Sequence, residues 1–252
     1  MERATLNHEM GTAFAINALE VHLWAVKIEP DDTVAAAFRP LLSADEVSRA
    51  IRFKFGHLSN AYTICRGAVR FLLGRYLNVE PSSIKLHYKA KGKPVIASPT
   101  RLDFNLSHTD GMMVCGLTRA CDIGVDVERL RPLSDIQTLA NEFFCPEEAD
   151  ELLSLAEDQR ISAFYRCWTR KEAYIKAVGE GLSTPLHSFR VTINPTEAAR
   201  FVHIHRDANL ARSWRLSEIE LGDPYIAALA YPGPERVIRL CATVNPLDLL
   251  ND

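Results

Sequence analysis

No stretch of the 252 residues approaches the roughly 20 consecutive apolar residues that span a bilayer, so no membrane partner is expected. The opening MERATLNHEMGTAF has no basic start leading into an apolar core, so it does not resemble a secretory leader, and a cytoplasmic location is expected. An excess of positive charge is also missing. With a formal net charge of −3, the chain is not expected to bind nucleic acid in general, and any charged partner must meet a local patch. The six cysteines (Cys65, Cys115, Cys121, Cys145, Cys167 and Cys241) include no C-x-x-C pair, which argues against a zinc ribbon or a dithiol redox centre. Several lie in apolar segments and read as small buried hydrophobes. His203 and His205 alternate in FVHIH without a cysteine or acid at ligand spacing, and read as strand residues rather than metal ligands.

What is present is an ordinary globular balance, 47% hydrophobic and 24% charged, in a length that suits one large domain or two modest ones. Alternation over 20–28 reads as a first strand. Ser43 followed by Asp45 and Glu46 starts a helix running to about 55, with a basic side of Arg49, Arg52 and Lys54. A longer helix over 60–77 buries Ile64, Val69, Leu72, Leu73 and Tyr76, with Arg66, Arg70 and Arg75 between them. Short strands follow at 84–88, at 103–108 and at 112–118, with the basic turn KAKGKP (89–94) after the first. Helices are read at 135–144 and from Pro146, and strands at 189–193, 198–205, 213–221 and 225–231. DGMMVCGLT and GDPYIAALAY echo one another, each an acid-containing turn before a strand, which favours two similar units with a boundary near 119–122.

Two stretches carry chemistry. Residues 160–178, RISAFYRCWTRKEAYIKAV, place Ile161, Phe164, Trp168 and Ile175 on one helical stripe with Glu172 in its middle. A carboxylate facing a core costs several kcal/mol, roughly, unless a cation or donor meets it. Lys176, one turn on, is one candidate, as an ordinary i,i+4 pair; a metal ion is the other. Residues 123–128, IGVDVE, read as a strand with Ile123, Val125 and Val127 on one face and Gly124, Asp126 and Glu128 on the other. Its two carboxylates lie about 6.6 Å apart along the strand, and they repel unless a cation lies between them. Hard divalent ions take such oxygens, and Mg²⁺ keeps water and phosphate oxygens beside one or two carboxylates. Alone, D-x-E on an edge strand is more often a solvated face. Upstream, Ser107 and His108 are neighbours on a strand and point to opposite faces, so they cannot form a nucleophile–base dyad. Locally they read as a turn-capping serine and a half-exposed histidine.

Taken together, GVDVE (124–128), WTRKEAYIKA (168–177) and GEGLSTPLHSF downstream, with RGAVRFLLGRYL (66–77), GKP (92–94) and FNLSHTDG (104–111) upstream, resemble the 4′-phosphopantetheinyl transferases of the Sfp type. The resemblance covers roughly residues 40–195. It implies an α+β fold of two similar lobes forming a pseudodimer, each with a small, mostly antiparallel sheet packed against helices. Coenzyme A would lie between a lobe of residues 1–119, on its adenosine side, and a lobe of residues 120–252 carrying the magnesium and pyrophosphate site. The implied activity moves the 4′-phosphopantetheine arm of coenzyme A onto a serine of an apo acyl or peptidyl carrier protein and releases 3′,5′-adenosine bisphosphate.

The resemblance also assigns roles. Asp126, Glu128 and Glu172 correspond to Mg²⁺ ligands, Lys176 to a pyrophosphate contact, and Lys93 and Pro94 of the GKP turn, with Ser107 and His108, to coenzyme A contacts. Many relatives carry an arginine where Asn60 and Ala61 stand here, so phosphate contact on that side falls to Arg49, Arg52 or Arg66. The base for the carrier serine is left open among Glu172, Glu148 and a metal-bound water. Two alternatives use the same residues: a Mg²⁺-dependent phosphohydrolase with water as nucleophile, and a non-catalytic module that binds coenzyme A or a carrier. A monomer is expected.

Overall fold

The computed structural model describes residues 14–251; residues 1–13, most of the stretch read for a leader, and Asp252 lie outside the described residues. In chain order the elements are β1 (Glu20–Lys27), α1 (Asp32–Phe38), α2 (Ala44–Ile51), α3 (Gly56–Leu77), β2 (Leu86–Tyr88), β3 (Pro94–Ile96), β4 (Leu102–Thr109), β5 (Met112–Arg119) and β6 (Gly124–Arg129). There follow α4 (Ile136–Phe143), α5 (Pro146–Ser154), α6 (Glu157–Val178), β7 (Phe189–Val191), β8 (Phe201–Ile204), α7 (Ala208–Arg212), β9 (Trp214–Ile219), β10 (Tyr225–Pro232), β11 (Val237–Val244) and α8 (Pro246–Leu250). The fold is α+β with small, mostly antiparallel sheets.

The helix starts follow local chemistry. α2 opens with a capping box in which the Ser43 amide donates to Glu46 at 3.1 Å, satisfying a backbone donor that the first helical turn leaves free. It stops at Ile51, short of the expected 55, and α3 starts at Gly56 rather than near 60. The extended backbone of Phe55 breaks the two apart, and the exposed first residues of α3 give the apolar period nothing to register. α6 likewise begins earlier than expected, on the acids Glu157 and Asp158, and ends at Gly179 in the left-handed conformation at φ 80°.

Two sheets stack face to face. One has the order β11-β1-β5-β4, the other β6-β10-β9. Between them, Val21, Leu23, Ala25 and Val114 meet Val125, Val127, Ala227 and Leu229, all buried. The outer face of the first sheet, with Trp24, Val26, Met113 and Cys115, packs on Ile64, Ala68, Val69 and Leu72 of α3. The outer face of the second, with Leu216, Ile226, Ala228 and Ala230, packs on Ala173, Ile175 and Ala177 of α6. The molecule is thus layered helix, sheet, sheet, helix, and the near-continuous burial of the central strands β1, β5 and β10 follows from their being covered on both faces.

The tail beyond 235 finds its place here. β11 pairs in parallel with β1, Glu20 beside Val237, and α8 buries Leu249 against the α3 side. All six cysteines are free, and four are buried. No helix among the described residues is long and apolar enough to cross a membrane.

Candidate active site

The glycine of GVDVE sets how closely α6 lies on β6. A Cβ on Gly124 would overlap the Ala173 carbonyl and the Ala177 amide, so only glycine lets helix backbone rest on strand backbone there. That approach brings the side of α6 bearing Glu172 and Lys176 over the Asp126 end of β6. Lys176 Nζ lies 2.6 Å from Asp126 Oδ1 and donates to Ser107 Oγ at 2.8 Å; Ser107 Oγ in turn donates to Asp126 Oδ1 at 2.8 Å. The i,i+4 pairing of Lys176 with Glu172 weighed from the sequence is therefore replaced by a pairing across elements.

Three alternate side chains of β4 join the two sheets along a seam. Asn105 Oδ1 accepts from the Val125 amide at 2.9 Å, Ser107 bonds Asp126, and Thr109 Oγ1 donates to Glu128 at 3.4 Å while accepting from the Arg129 amide at 3.3 Å. The β6 edge facing β4 is satisfied by side chains instead of a backbone ladder. Ser107 is thus an inter-sheet contact and not the turn cap of its local reading. The sequence held a signal for this seam, since N-L-S-H-T puts polar groups at every second position; the partner strand was not readable.

The acids crowd one another. Burial raises the pKa of Glu128, and the Asp126 charge raises it further against the pull of Lys176. The same causes, in the same order, raise Glu172. Asp126 Oδ2 is buried and has no hydrogen-bond partner. His108, on the opposite face of β4, has its pKa lowered by desolvation first and by the Lys176 charge second.

Among the described residues, no group of three His, Cys, Asp or Glu side chains is gathered tightly enough to hold a metal ion. The chemistry of the donors still fits a hard divalent cation: all are carboxylate oxygens, one of them orphaned, and two have their proton affinity raised by burial and then by the Asp126 charge.

Other expected site residues lie elsewhere. Glu148 is fully buried beneath α6; it pairs with Lys171 at 2.8 Å and accepts from the amides of Cys145 and Val191 at 3.1 and 2.7 Å. It is enclosed on the far side of α6 from Asp126 and Glu128, and the structure does not bring it together with the other expected site residues. Lys171, which the sequence reading passed over, is the deepest charge on α6, and also donates to the carbonyls of Leu186 and Phe189. Stripe logic missed it because α6 is enclosed on nearly every side. Arg66 is held by Glu46 at 2.5 Å and Tyr88 at 2.9 Å, so its guanidinium is engaged inside the fold rather than presented to a phosphate. Lys93 Nζ donates to the carbonyls of Ala177 and Ile123 and is not offered to a ligand. Pro94 only begins β3. Arg49, stacked over Tyr62, and Arg52, closing α2, remain exposed.

Comparison with known proteins now bears on this geometry. Residues 122–230 match the family model described as the 4′-phosphopantetheinyl transferase superfamily. The 4′-phosphopantetheinyl transferase HetI of Nostoc sp. is 38% identical over 85% of this chain and 88% of its own. The 4′-phosphopantetheinyl transferase Sfp of Bacillus subtilis is 33% identical over 56% of this chain and 62% of its own, and gsp of Aneurinibacillus migulanus is 33% identical over 57% and 60%.

Proposed function

Because the chain belongs to the 4′-phosphopantetheinyl transferase superfamily, we propose that it transfers the 4′-phosphopantetheine arm of coenzyme A to a serine of an apo carrier protein at the junction of α6, β6 and β4. The observation that carries this placement is the meeting of Lys176, Asp126 and Ser107 from those three elements.

The serine oxygen forms a bond to the phosphorus that bears pantetheine, the bridging P–O bond breaks, and 3′,5′-adenosine bisphosphate leaves with the bonding pair. Such transfers depend chiefly on positioning and on charge stabilisation. Lys176 supplies a cation to the leaving phosphate, and Ser107 orients that ammonium. His108, whose pKa is lowered by desolvation and by the Lys176 charge, offers the substrate a hydrogen bond. Arg49 and Arg52 are the cations left exposed for phosphate on the N-terminal side. Asp126, Glu128 and Glu172 would hold Mg²⁺, which supplies electrostatic stabilisation of the pyrophosphate when bound. Of the two carboxylates weighed for accepting the serine proton, Glu172 is the one at this junction. The two lobes of the pseudodimer meet at the seam between β4 and β6, which is the floor of their cleft, with a boundary near 119–122; the backing of one sheet by α3 and of the other by α6 supports that division. The expected second lobe of 120–252 is too long, because β11 and α8 return to the first sheet and its helix.

Incubating the protein with coenzyme A, Mg²⁺ and a panel of apo acyl and peptidyl carriers tests the reading by intact mass. One carrier gaining a single phosphopantetheine is the expected result. Release of adenosine bisphosphate at full rate without any carrier would assign the residues to hydrolysis instead.

A further inference from the structure

The basic turn between β2 and β3 reaches across the molecule to the end of α6. Gly92, at φ 86°, lets the turn close, with the Lys89 amide bonded to the Lys93 carbonyl at 2.9 Å. Lys93 then points away from its own hairpin. Its ammonium donates to the Ala177 carbonyl at 2.7 Å and the Ile123 carbonyl at 3.2 Å, and stands 3.5 Å from Asp122. Its side chain is 8% exposed, whereas that of Lys89, four residues earlier, is 46% exposed. Gly179 makes room for it, since a Cβ there would press on Lys93 Cδ at 3.2 Å.

The two carbonyls are telling. Ala177 lies in the last turn of α6, where carbonyls lack helical partners and the helix dipole favours a cation. Ile123 immediately precedes β6. One ammonium therefore joins the end of the helix that carries Glu172 and Lys176 to the start of the strand that carries Asp126 and Glu128. Two of its three donors are taken by these carbonyls, and Asp122 balances its charge, so the ammonium is committed to the fold.

We propose that Lys93 is a positioning residue of the transferase, a clamp that fixes α6 against β6 and so sets Lys176 and Glu172 over Asp126. The proposal rests on the reading of those residues as the reactive set. A clamp and a phosphate contact make opposite demands on the same lysine, and neither requires a new ligand to tell them apart.

The first test uses the wild-type protein. In reductive methylation with formaldehyde and cyanoborohydride, followed by peptide mass spectrometry, the exposed Lys89 and Lys91 are dimethylated while Lys93 stays protected with or without coenzyme A. Lys93 modified as fast as Lys89 in the free protein, and shielded only by coenzyme A, overturns the clamp. The second test is kinetic. Loss of alignment at a reacting centre costs turnover more than binding, so Lys93→Met lowers kcat by roughly tenfold or more with the KM for coenzyme A nearly unchanged. Lys93→Arg, which keeps a cation able to reach both carbonyls, recovers most of that turnover. A raised KM at unchanged kcat overturns the proposal. Failure of the wild type to modify any carrier would sink the assigned reaction but leave the methylation result to judge the clamp.

Discussion

Glu172 sits where burial and the Asp126 charge both disfavour its ionised form. Its raised pKa means that the folded chain holds its proton to a higher pH than the unfolded chain does. Ionised Glu172 therefore opposes folding above its folded pKa, and the opposition fades as pH falls through that value toward 4.5, the ordinary glutamate value. Glu128 acts in the same sense. Metal-free protein is expected to gain melting temperature as pH drops from neutral toward that range, and Glu172→Gln to raise the melting temperature at neutral pH while abolishing transfer. A Glu172→Gln protein that melts lower than wild type at neutral pH would contradict the repulsion. Gly124→Ala tests the neighbouring constraint. Forcing a methyl into backbone costs about 1–3 kcal/mol of stability in urea unfolding, and here it also lifts Lys176 off Asp126, so turnover should fall further than the loss of folded protein explains. At this scale the residues of the proposed site stood out in the sequence because GVDVE and KEAYIK put acids and a lysine at fixed intervals. What each one touches was not. Lys176 had a candidate partner one turn away in sequence, and its actual partner lies fifty residues upstream across a packing contact.

At the scale of elements, α2 and α3 are joined by charge as much as by apolar packing. Glu46, 2% exposed, stands between Arg66 and Arg70, and Arg70 also donates to the carbonyls of Pro81 and Ile84 at 2.9 Å each. Burial alone would raise the pKa of Glu46; Arg66, the Ser43 amide and Arg70 outweigh it, and the pKa is lowered. The resulting stabilisation is complete above 4.5, the ordinary glutamate value, and is lost as pH falls through the lowered folded pKa. Removing one member of a buried charge group costs about 3–5 kcal/mol, so Glu46→Ala should lose that much in urea unfolding, and Arg66→Met a comparable share. A change within 1 kcal/mol, roughly the worth of an exposed pair, would show the group to be solvated. The sequence made the α2 cap legible, since Ser43 and Glu46 have capping-box spacing. It also suggested Arg66 for phosphate, because helical spacing shows that arginines recur on α3 but not which of them a buried acid already holds.

For the whole molecule, the two-sheet core explains why strand assignment from sequence worked better than strand pairing. The central strands β1, β5 and β10 are covered on both sides, so burial marks them as strands without marking their neighbours. The hardest element to place was the tail, whose half-exposed pattern in β11 gives a weak alternation and whose partner is the first strand of the chain. Ending the chain after Pro234 would remove β11 and α8, exposing the β1 edge and the hollow that Leu249 fills. The shortened protein is expected to be recovered as aggregate, or to show a lower denaturation midpoint by circular dichroism; unchanged unfolding would make the tail dispensable. Because β1 and β11 lie side by side, β1 gains its second neighbour only when segments from the two ends of the described residues meet. The first sheet therefore keeps one side bare until a non-local pairing forms, the kind of contact that topology makes slow.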